Sequence, residues 1–89
     1  MSEASNVWRL NADGREHDIE VEHSTMTGKI IVRLDGVIVD EDRLLFTKKP
    51  LEFPVGDHHA RVTVEYAYGG FATRSTLHFD DRYVEPLAD

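Results

Sequence analysis

The chain has 89 residues, a formal net charge of −7 from 17 acidic and 10 basic side chains, and no cysteine. This length predicts a single domain, spanning residues 1–89 with its core at about residues 7–87. The missing cysteine excludes disulfides, zinc–thiolate sites and iron–sulfur clusters. The acidic surface repels phosphate and therefore predicts no binding to nucleic acid.

Two further features bear on location. No apolar run approaches the roughly 18 residues of a membrane-spanning helix. The opening MSEASNVWRL lacks the basic start and the apolar stretch of a secretory signal. The absence of cysteine also suits a reducing compartment. We therefore expect a cytoplasmic protein with no membrane contact.

The first half of the chain is organised by two Asp-Gly dipeptides, at residues 13–14 and 35–36, between segments that alternate polar and apolar residues. Asp-Gly is a strong signal for a two-residue type I′ hairpin turn, because both residues accept positive φ. The pairings that follow are Leu10 with His17 and Trp8 with Ile19 across the first turn, and Leu34 with Val37 and Val32 with Val39 across the second.

A four-residue loop at residues 24–27 would join the two hairpins and pair Val21 with Ile30 and Ile19 with Val32. The three turns then place one set of apolar residues on a single face: Trp8, Leu10, Ile19, Val21, Ile30, Val32, Leu34, Val37 and Val39. A register slip of one residue would scatter this set. The agreement predicts a four-stranded meander, with Gly28 in a left-handed or bulged conformation after the loop.

The opposite face of the meander is predicted to carry cross-strand ion pairs. Arg9 would face Asp18, Asp18 would face Arg33, and Glu22 would face Lys29. The acids of this region are therefore interpreted as the solvated side of a sheet and not as a catalytic carboxylate pair.

The second half of the chain repeats the style of the first. Short strands are expected in RLLFTKK and LEFPV, then in HARVTVEY and FATRSTLHF, and finally in DDRYVEPL after a last turn. Alternation along these strands predicts three sets of residues that each share a face: Leu51, Phe53 and Val55; Ala60, Val62, Val64 and Tyr66, which point inward; and Phe71, Leu77 and Phe79. No segment of helical length has a good apolar stripe at i, i+3 and i+4. About eight short strands with frequent turns predict an all-β sandwich or barrel.

Histidine is the first candidate for chemistry. His17 and His23 are six residues apart on one predicted strand, about 20 Å at strand spacing, which is too far to share a metal. The adjacent His58 and His59 would point to opposite faces, and a composite site of His17 with His58 needs tertiary pairing. The chain also lacks a Gly-x-Ser-x-Gly elbow and a phosphate-binding loop motif. We expect no enzymatic activity, no cofactor and no required metal; a histidine-based metallohydrolase is the contrasting hypothesis.

The order of several residues resembles the repeated domain of the Fas apoptotic inhibitory molecule family over roughly residues 7–87. The matching positions are Trp8, Asp13-Gly14, His17, Glu22-His23, Thr27-Gly28-Lys29, Asp35-Gly36, Phe46, Phe53 to Gly56, the ARVTVEY strand, Phe71 and Leu77. The resemblance implies an antiparallel β-sandwich of about eight strands without catalysis, acting inside cells through protein contacts. We predict one copy of this domain.

These observations favour a protein-interaction module that is a monomer or a weak homodimer through an edge strand. The candidate contacts are three loops: Ser24, Thr25, Met26, Thr27 and Gly28; Asp57, His58 and His59; and Tyr68, Gly69 and Gly70. The alternative is a small-ligand module, for example for carbohydrate, with Tyr68 and Trp8 as stacking platforms. That alternative requires an exposed indole.

Overall fold

The structure, a computed structural model, describes residues 3–24, 27–43, 48–67 and 72–87. Within these ranges the chain forms eight strands in two antiparallel four-stranded sheets and no helix, which confirms the predicted sandwich and its opening meander. The strands are β1 (Glu3–Ala12), β2 (Arg15–Ser24), β3 (Lys29–Leu34), β4 (Val37–Arg43), β5 (Lys48–Val55), β6 (His58–Ala67), β7 (Ala72–Phe79) and β8 (Arg82–Val84). The described residues contain no helix that is long and apolar enough to cross a membrane.

Tight hairpin turns set the strand boundaries. Both predicted Asp-Gly turns have positive φ at their two central residues, as a type I′ turn requires. The turn at residues 80–81 has the same geometry without glycine, since Asp80 and Asp81 take φ values of 49° and 66°. Aspartate tolerates this region better than most residues do, so the β7–β8 hairpin closes with two carboxylates at its tip.

The β1–β2 register agrees with prediction, whereas the β2–β3 register differs by two residues. Trp8 lies opposite Ile19, as expected, but Val21 lies opposite Val32 and not Ile30. The loop begins one residue later than predicted, and the Gly28 N–H donates to the Ser24 carbonyl at 2.8 Å. A shift of two leaves every side chain on its predicted face.

The shifted register changes the ion pairs on the solvated face. Arg9 Nε donates to Asp18 Oδ1 at 2.9 Å, as predicted. Arg33 does not pair with Asp18; its Nη1 lies 2.9 Å from Glu22 Oε1 and 3.5 Å from Glu20 Oε1. The prediction that Glu22 faces Lys29 is also wrong, because Glu22 lies opposite Ile31. Lys29 Nζ lies 3.7 Å from the Glu41 carboxylate on β4.

Strand β4 departs most from the prediction. Val37 lies opposite Leu34 as expected, but a bulge between Val32 and Arg33 places Asp40 and not Val39 opposite Val32. The prediction that Val37 and Val39 belong to the buried face is wrong, since they are 65% and 38% exposed. Asp40 shares the face of Val32, and a carboxylate enters an apolar core only at a large desolvation cost. This edge strand therefore stays outside the core.

The core lies between the two sheets and takes residues from both. Its buried members are Trp8, Leu10, Ala12, Ile19, Val21, Ile30, Val32, Leu51, Phe53, Val55, Ala60, Val62, Val64 and Leu77. This confirms the predicted inward faces of the LEFPV segment and of Ala60, Val62 and Val64. Phe79 packs partly buried against the same core. The side chains of Tyr66 and Phe71, and residues 44–47 of the predicted RLLFTKK strand, lie outside the description.

Candidate functional site

The described residues of the predicted contact loops lie at opposite ends of the sandwich. Ser24 is the last residue of β2, and Thr27 and Gly28 belong to the β2–β3 loop, where Thr27 Oγ1 accepts the Lys29 N–H at 3.2 Å. Residues 57–59 form the β5–β6 turn and the start of β6 at the other end, beside the β1–β2 turn. Thr25, Met26, Tyr68, Gly69 and Gly70 lie outside the described residues. The loops that are described therefore do not form one continuous surface.

The end of the sandwich that carries the β1–β2 and β5–β6 turns holds a histidine between two carboxylates. His58 Nδ1 lies 2.5 Å from Asp80 Oδ2, and His58 Nε2 lies 3.1 Å from Asp13 Oδ1. The imidazole ring also packs on Phe79, with the ring centroids 5.1 Å apart. Asp13 belongs to the turn of the first sheet and Asp80 to a turn of the second, so His58 links the two sheets.

The geometry around His58 selects its protonated form. A neutral imidazole has one donor nitrogen and one acceptor nitrogen, whereas an ionised carboxylate only accepts. Both contacts are hydrogen bonds only when both ring nitrogens carry a proton. Accordingly, the pKa of His58 is raised, chiefly by its hydrogen bond to Asp80 and then by that to Asp13. The pKa of Asp80 is lowered, first by the His59 backbone N–H and then by His58.

Both sheets close a hairpin with the same histidine–aspartate arrangement. In the first sheet, Asp35 accepts the Asp18 N–H through Oδ1 at 2.8 Å and contacts His17 Nδ1 through Oδ2 at 2.7 Å. In the second, Asp80 Oδ1 accepts the His59 N–H at 3.0 Å while Oδ2 contacts the preceding histidine. The pKa of Asp35 is lowered by the Asp18 backbone N–H and then by His17. In each case the first of the two central residues of a type I′ turn is hydrogen-bonded through its side chain to the neighbouring strand.

The pairings predicted from the sequence would make His17 a half-buried structural imidazole between Leu10 and Leu34. The side chain is only partly exposed, as expected, but its neighbour on the β3 side is Asp35 of the turn and not Leu34. The register shift of two residues moves Leu34 opposite Ile19. His17 therefore meets a carboxylate where an apolar neighbour was predicted.

The histidines are not arranged as metal ligands. The two carboxylates at His58 approach opposite nitrogens of one ring, so they cannot share an ion with it. His59 Nε2 has a separate partner, Glu52 Oε1, at 2.6 Å. His23 is buried on the core face, and burial lowers its pKa and favours the neutral form. Across the part of the chain that is described, no group of three or more histidine, aspartate or glutamate side chains could hold a metal.

Two shallow clefts lie on the outer faces of the sheets. The larger, of about 480 Å³, lies on the second sheet and is lined by Pro50, Arg61, Thr63, Glu65, Thr76 and His78. The smaller, of about 200 Å³, lies beside the β2–β3 loop and is lined by Glu22, Ser24, Thr27, Lys29 and Ile31. It includes two of the predicted loop contacts, Ser24 and Thr27.

The first half of β4 exposes three consecutive apolar residues. Val37, Ile38 and Val39 are 65%, 50% and 38% exposed, and β4 is the outermost strand of its sheet. No described strand pairs with its outer edge. The predicted register assigned Val37 and Val39 to the core, so this exposed surface was not predicted. The available signal was the pattern itself, because three apolar residues followed by three acids do not alternate as a half-buried strand does.

The other sheet edges are protected in ways that natural proteins use against unwanted strand pairing. The Leu87 N–H donates to the Val7 carbonyl on β1 at 2.9 Å, so the C-terminal segment covers part of that edge. Strand β5 contains Pro50 and Pro54, and β8 has only three residues. In the second half of β4, two backbone N–H groups already have acceptors within the strand. The Asp40 and Asp42 carboxylates accept the N–H groups of the residues that follow them, at 2.9 and 2.8 Å.

Comparison with known proteins places this fold in a family. The sequence matches the model of the Fas apoptotic inhibitory molecule (FAIM1) family over residues 4–87. No curated protein sequence matches the chain significantly. The family match begins in β1, ends in the segment after β8 and includes both sheets with their hairpin turns, so the chain belongs to the Fas apoptotic inhibitory molecule (FAIM1) family.

Proposed function

We propose that this chain is a non-catalytic, cytoplasmic protein-interaction module whose contact surface is the exposed first half of β4, residues 37–39. The observation that supports the proposal is the run of three exposed apolar side chains on an edge that no described strand covers. Exposed apolar patches on otherwise well-packed domains commonly mark interaction sites.

The mode of contact is addition of a partner strand. An extended segment that pairs with a sheet edge gains affinity from main-chain hydrogen bonds and specificity from alternate side chains. Because carboxylates already occupy the N–H groups of Glu41 and Arg43, the pairing is confined to the N-terminal half of β4. So short a contact suits a weak or transient interaction.

The predicted loops are less favourable contact surfaces than β4. Both ring nitrogens of His58 and the Nε2 of His59 contact carboxylates of the same chain. In the β2–β3 loop, the Gly28 N–H and the Thr27 hydroxyl are engaged within the loop and its flanks. A partner at either loop would have to replace bonds that already exist, whereas a strand on β4 would cover exposed apolar side chains.

The carbohydrate alternative loses one of its two aromatic platforms. Trp8 is fully buried between the sheets, so its indole cannot stack on a sugar. Tyr68, the second platform, lies outside the described residues.

The proposal is tested by site-specific photo-crosslinking in lysate of the source cells. A crosslinker replaces Ile38 in one variant and Tyr83, a similarly exposed residue on β8, in the matched control. Proteins captured from position 38 alone are then purified and titrated against the unlabelled chain. Ile38→Lys should weaken this binding by more than about tenfold, roughly 1.4 kcal/mol, while Tyr83→Lys should leave it unchanged. Equal capture from both positions, or equal affinity of both lysine variants, would exclude β4 as the contact.

A further inference from the structure

We infer that the partner segment is a cationic extended strand, in which two apolar residues that cover the start of β4 adjoin two lysine or arginine residues that face Asp40 and Glu41. This inference rests on the proposed function and adds the chemistry of the partner.

The charge around the site supports a cationic partner. Directly after its apolar residues β4 carries Asp40, Glu41 and Asp42, followed by the single base Arg43. Of the nearest bases on β3, Arg33 pairs with two glutamates of β2, whereas Lys29 lies 3.7 Å from Glu41 and offsets part of the acidic charge of β4. Three carboxylates against Lys29 and Arg43 still leave β4 with an excess of negative charge. The net charge of −7 adds a long-range field that attracts cations. Such complementarity raises association rates and selects among partners.

The β4 bulge sets the spacing of the recognition pattern. Val37 and Asp40 lie opposite Leu34 and Val32 and therefore share one face, while Ile38 and Glu41 share the other. Each face of β4 thus presents an apolar residue and then a carboxylate. A straight strand laid along it meets them with one apolar and one basic residue per face, which makes two apolar residues beside two basic ones. The order of the two pairs reverses between parallel and antiparallel addition.

A second copy of the chain is a poorer occupant. Antiparallel pairing of two β4 strands centred on Ile38 would place the two Ile38 side chains against each other. With Val39 left out of the pairing by the bulge, as it is between β3 and β4, this register would set Asp35 of each copy opposite Asp42 of the other, at both ends of the contact. Like charges directly opposite each other destabilise a strand pair, so self-pairing is disfavoured, whereas a basic strand would gain ion pairs.

Synthetic ten-residue peptides test the inference with the intact protein. Three peptides share two central valines and differ only in the adjoining pair, which is Lys-Lys, Ser-Ser or Glu-Glu; each is made in both orders. Backbone amide resonances are followed during titration at low and high salt. The lysine peptide should shift the resonances of residues 37–43 and bind about three- to tenfold more tightly than the serine peptide. Salt should reduce this difference.

A double variant, Asp40→Asn with Glu41→Gln, removes the charge of the two carboxylates that the basic residues are inferred to face. An asparagine side-chain carbonyl can still accept the Glu41 N–H that the Asp40 carboxylate accepts now, so this backbone hydrogen bond is retained. The double variant should lose the preference for lysine but keep its affinity for the serine peptide. The control Asp57→Asn removes a carboxylate from the β5–β6 turn and should leave the preference intact.

The outcomes separate the inference from the proposed function. If all three peptides bind β4 equally, the charge inference is wrong and strand addition remains. If no peptide shifts β4 resonances while a crosslinked protein partner still does, partner recognition does not use an extended basic segment. If neither does, the proposed function fails together with the inference. If the β4 resonances shift with protein concentration in the absence of peptide, the inference of a basic partner strand is overturned in favour of a second copy of the chain.

Discussion

Alanine substitution at two valines tests how the first sheet is built. Val32 and Val37 lie on adjacent strands and have the same predicted face, but Val32 is fully buried and Val37 is 65% exposed. Replacing Val32 by Ala removes two buried methyl groups, about 1.6 kcal/mol of transfer free energy at roughly 0.8 kcal/mol each. The cavity left behind adds to this, so the free energy of unfolding should fall by about 2–3 kcal/mol. Val37→Ala should change it by less than about 0.5 kcal/mol.

Urea unfolding followed by tryptophan emission measures both variants against the parent chain. A shift of the midpoint at constant slope reports a change in stability alone. In a thermal scan, Val32→Ala should lower the melting temperature by roughly 10–20 °C, since each kcal/mol is worth about 4–8 °C in a domain of this size. Equal costs at the two positions would refute the argument, because they would mean that β4 packs into the core as β3 does.

Three further predictions concern the turn end and the core. His58→Gln should destabilise the protein most at acidic to neutral pH. The stabilisation that comes with the raised pKa of His58 is fully present below about pH 6.5 and is lost as the pH rises through the folded-state pKa. The difference in melting temperature between variant and wild type should therefore shrink between about pH 6 and pH 9, and a constant difference would contradict the prediction. Gly36→Ala should cost about 1–2 kcal/mol in urea unfolding from backbone strain alone, because φ is +84° and no atom lies within 4 Å of an added Cβ; a neutral result would mean that the turn relaxes. The emission of Trp8 should be blue-shifted and weakly quenched by acrylamide, and efficient quenching would place the indole at the surface.

The sequence predicted registers only where local chemistry fixes them. Asp13-Gly14 is a two-residue turn with little freedom, and the pairing of Trp8 with Ile19 is correct. The β2–β3 loop contains no such dipeptide, so both of its ends could move by one residue along the chain without violating the apolar pattern. The β2–β3 register then shifts by two residues, which leaves every side chain on the same face of the sheet. The predicted buried faces of β2 and β3 were therefore correct, although the predicted ion pairs between these strands were not.

The bulge and the contacts of the histidines depend on tertiary structure. The bulge near Val32 puts Asp40 on the face of Val32 and so keeps β4 out of the core, and the sequence of β4 alone does not show where the bulge falls. The contact between His58 and Asp13 joins residues 45 positions apart in different sheets, so it follows only once the sheets are packed together. The contact of His17 with Asp35 was closer to prediction, because a correct β2–β3 register would have placed Asp35 opposite Asp18.

The Asp35 contacts also bear on how β4 could bind a strand. Asp35 holds the β3–β4 turn to β2 through its carboxylate and through its own N–H, which donates to the Asp18 carbonyl at 2.8 Å. Val37 follows this turn after one glycine, so the exposed apolar run begins beside a fixed point. An edge that is already held in an extended conformation needs less ordering when a partner strand adds to it, and that ordering is a large part of what association costs. The turn chemistry that closes the first sheet would therefore also prepare its edge for recognition, although no residue of the turn need touch the partner.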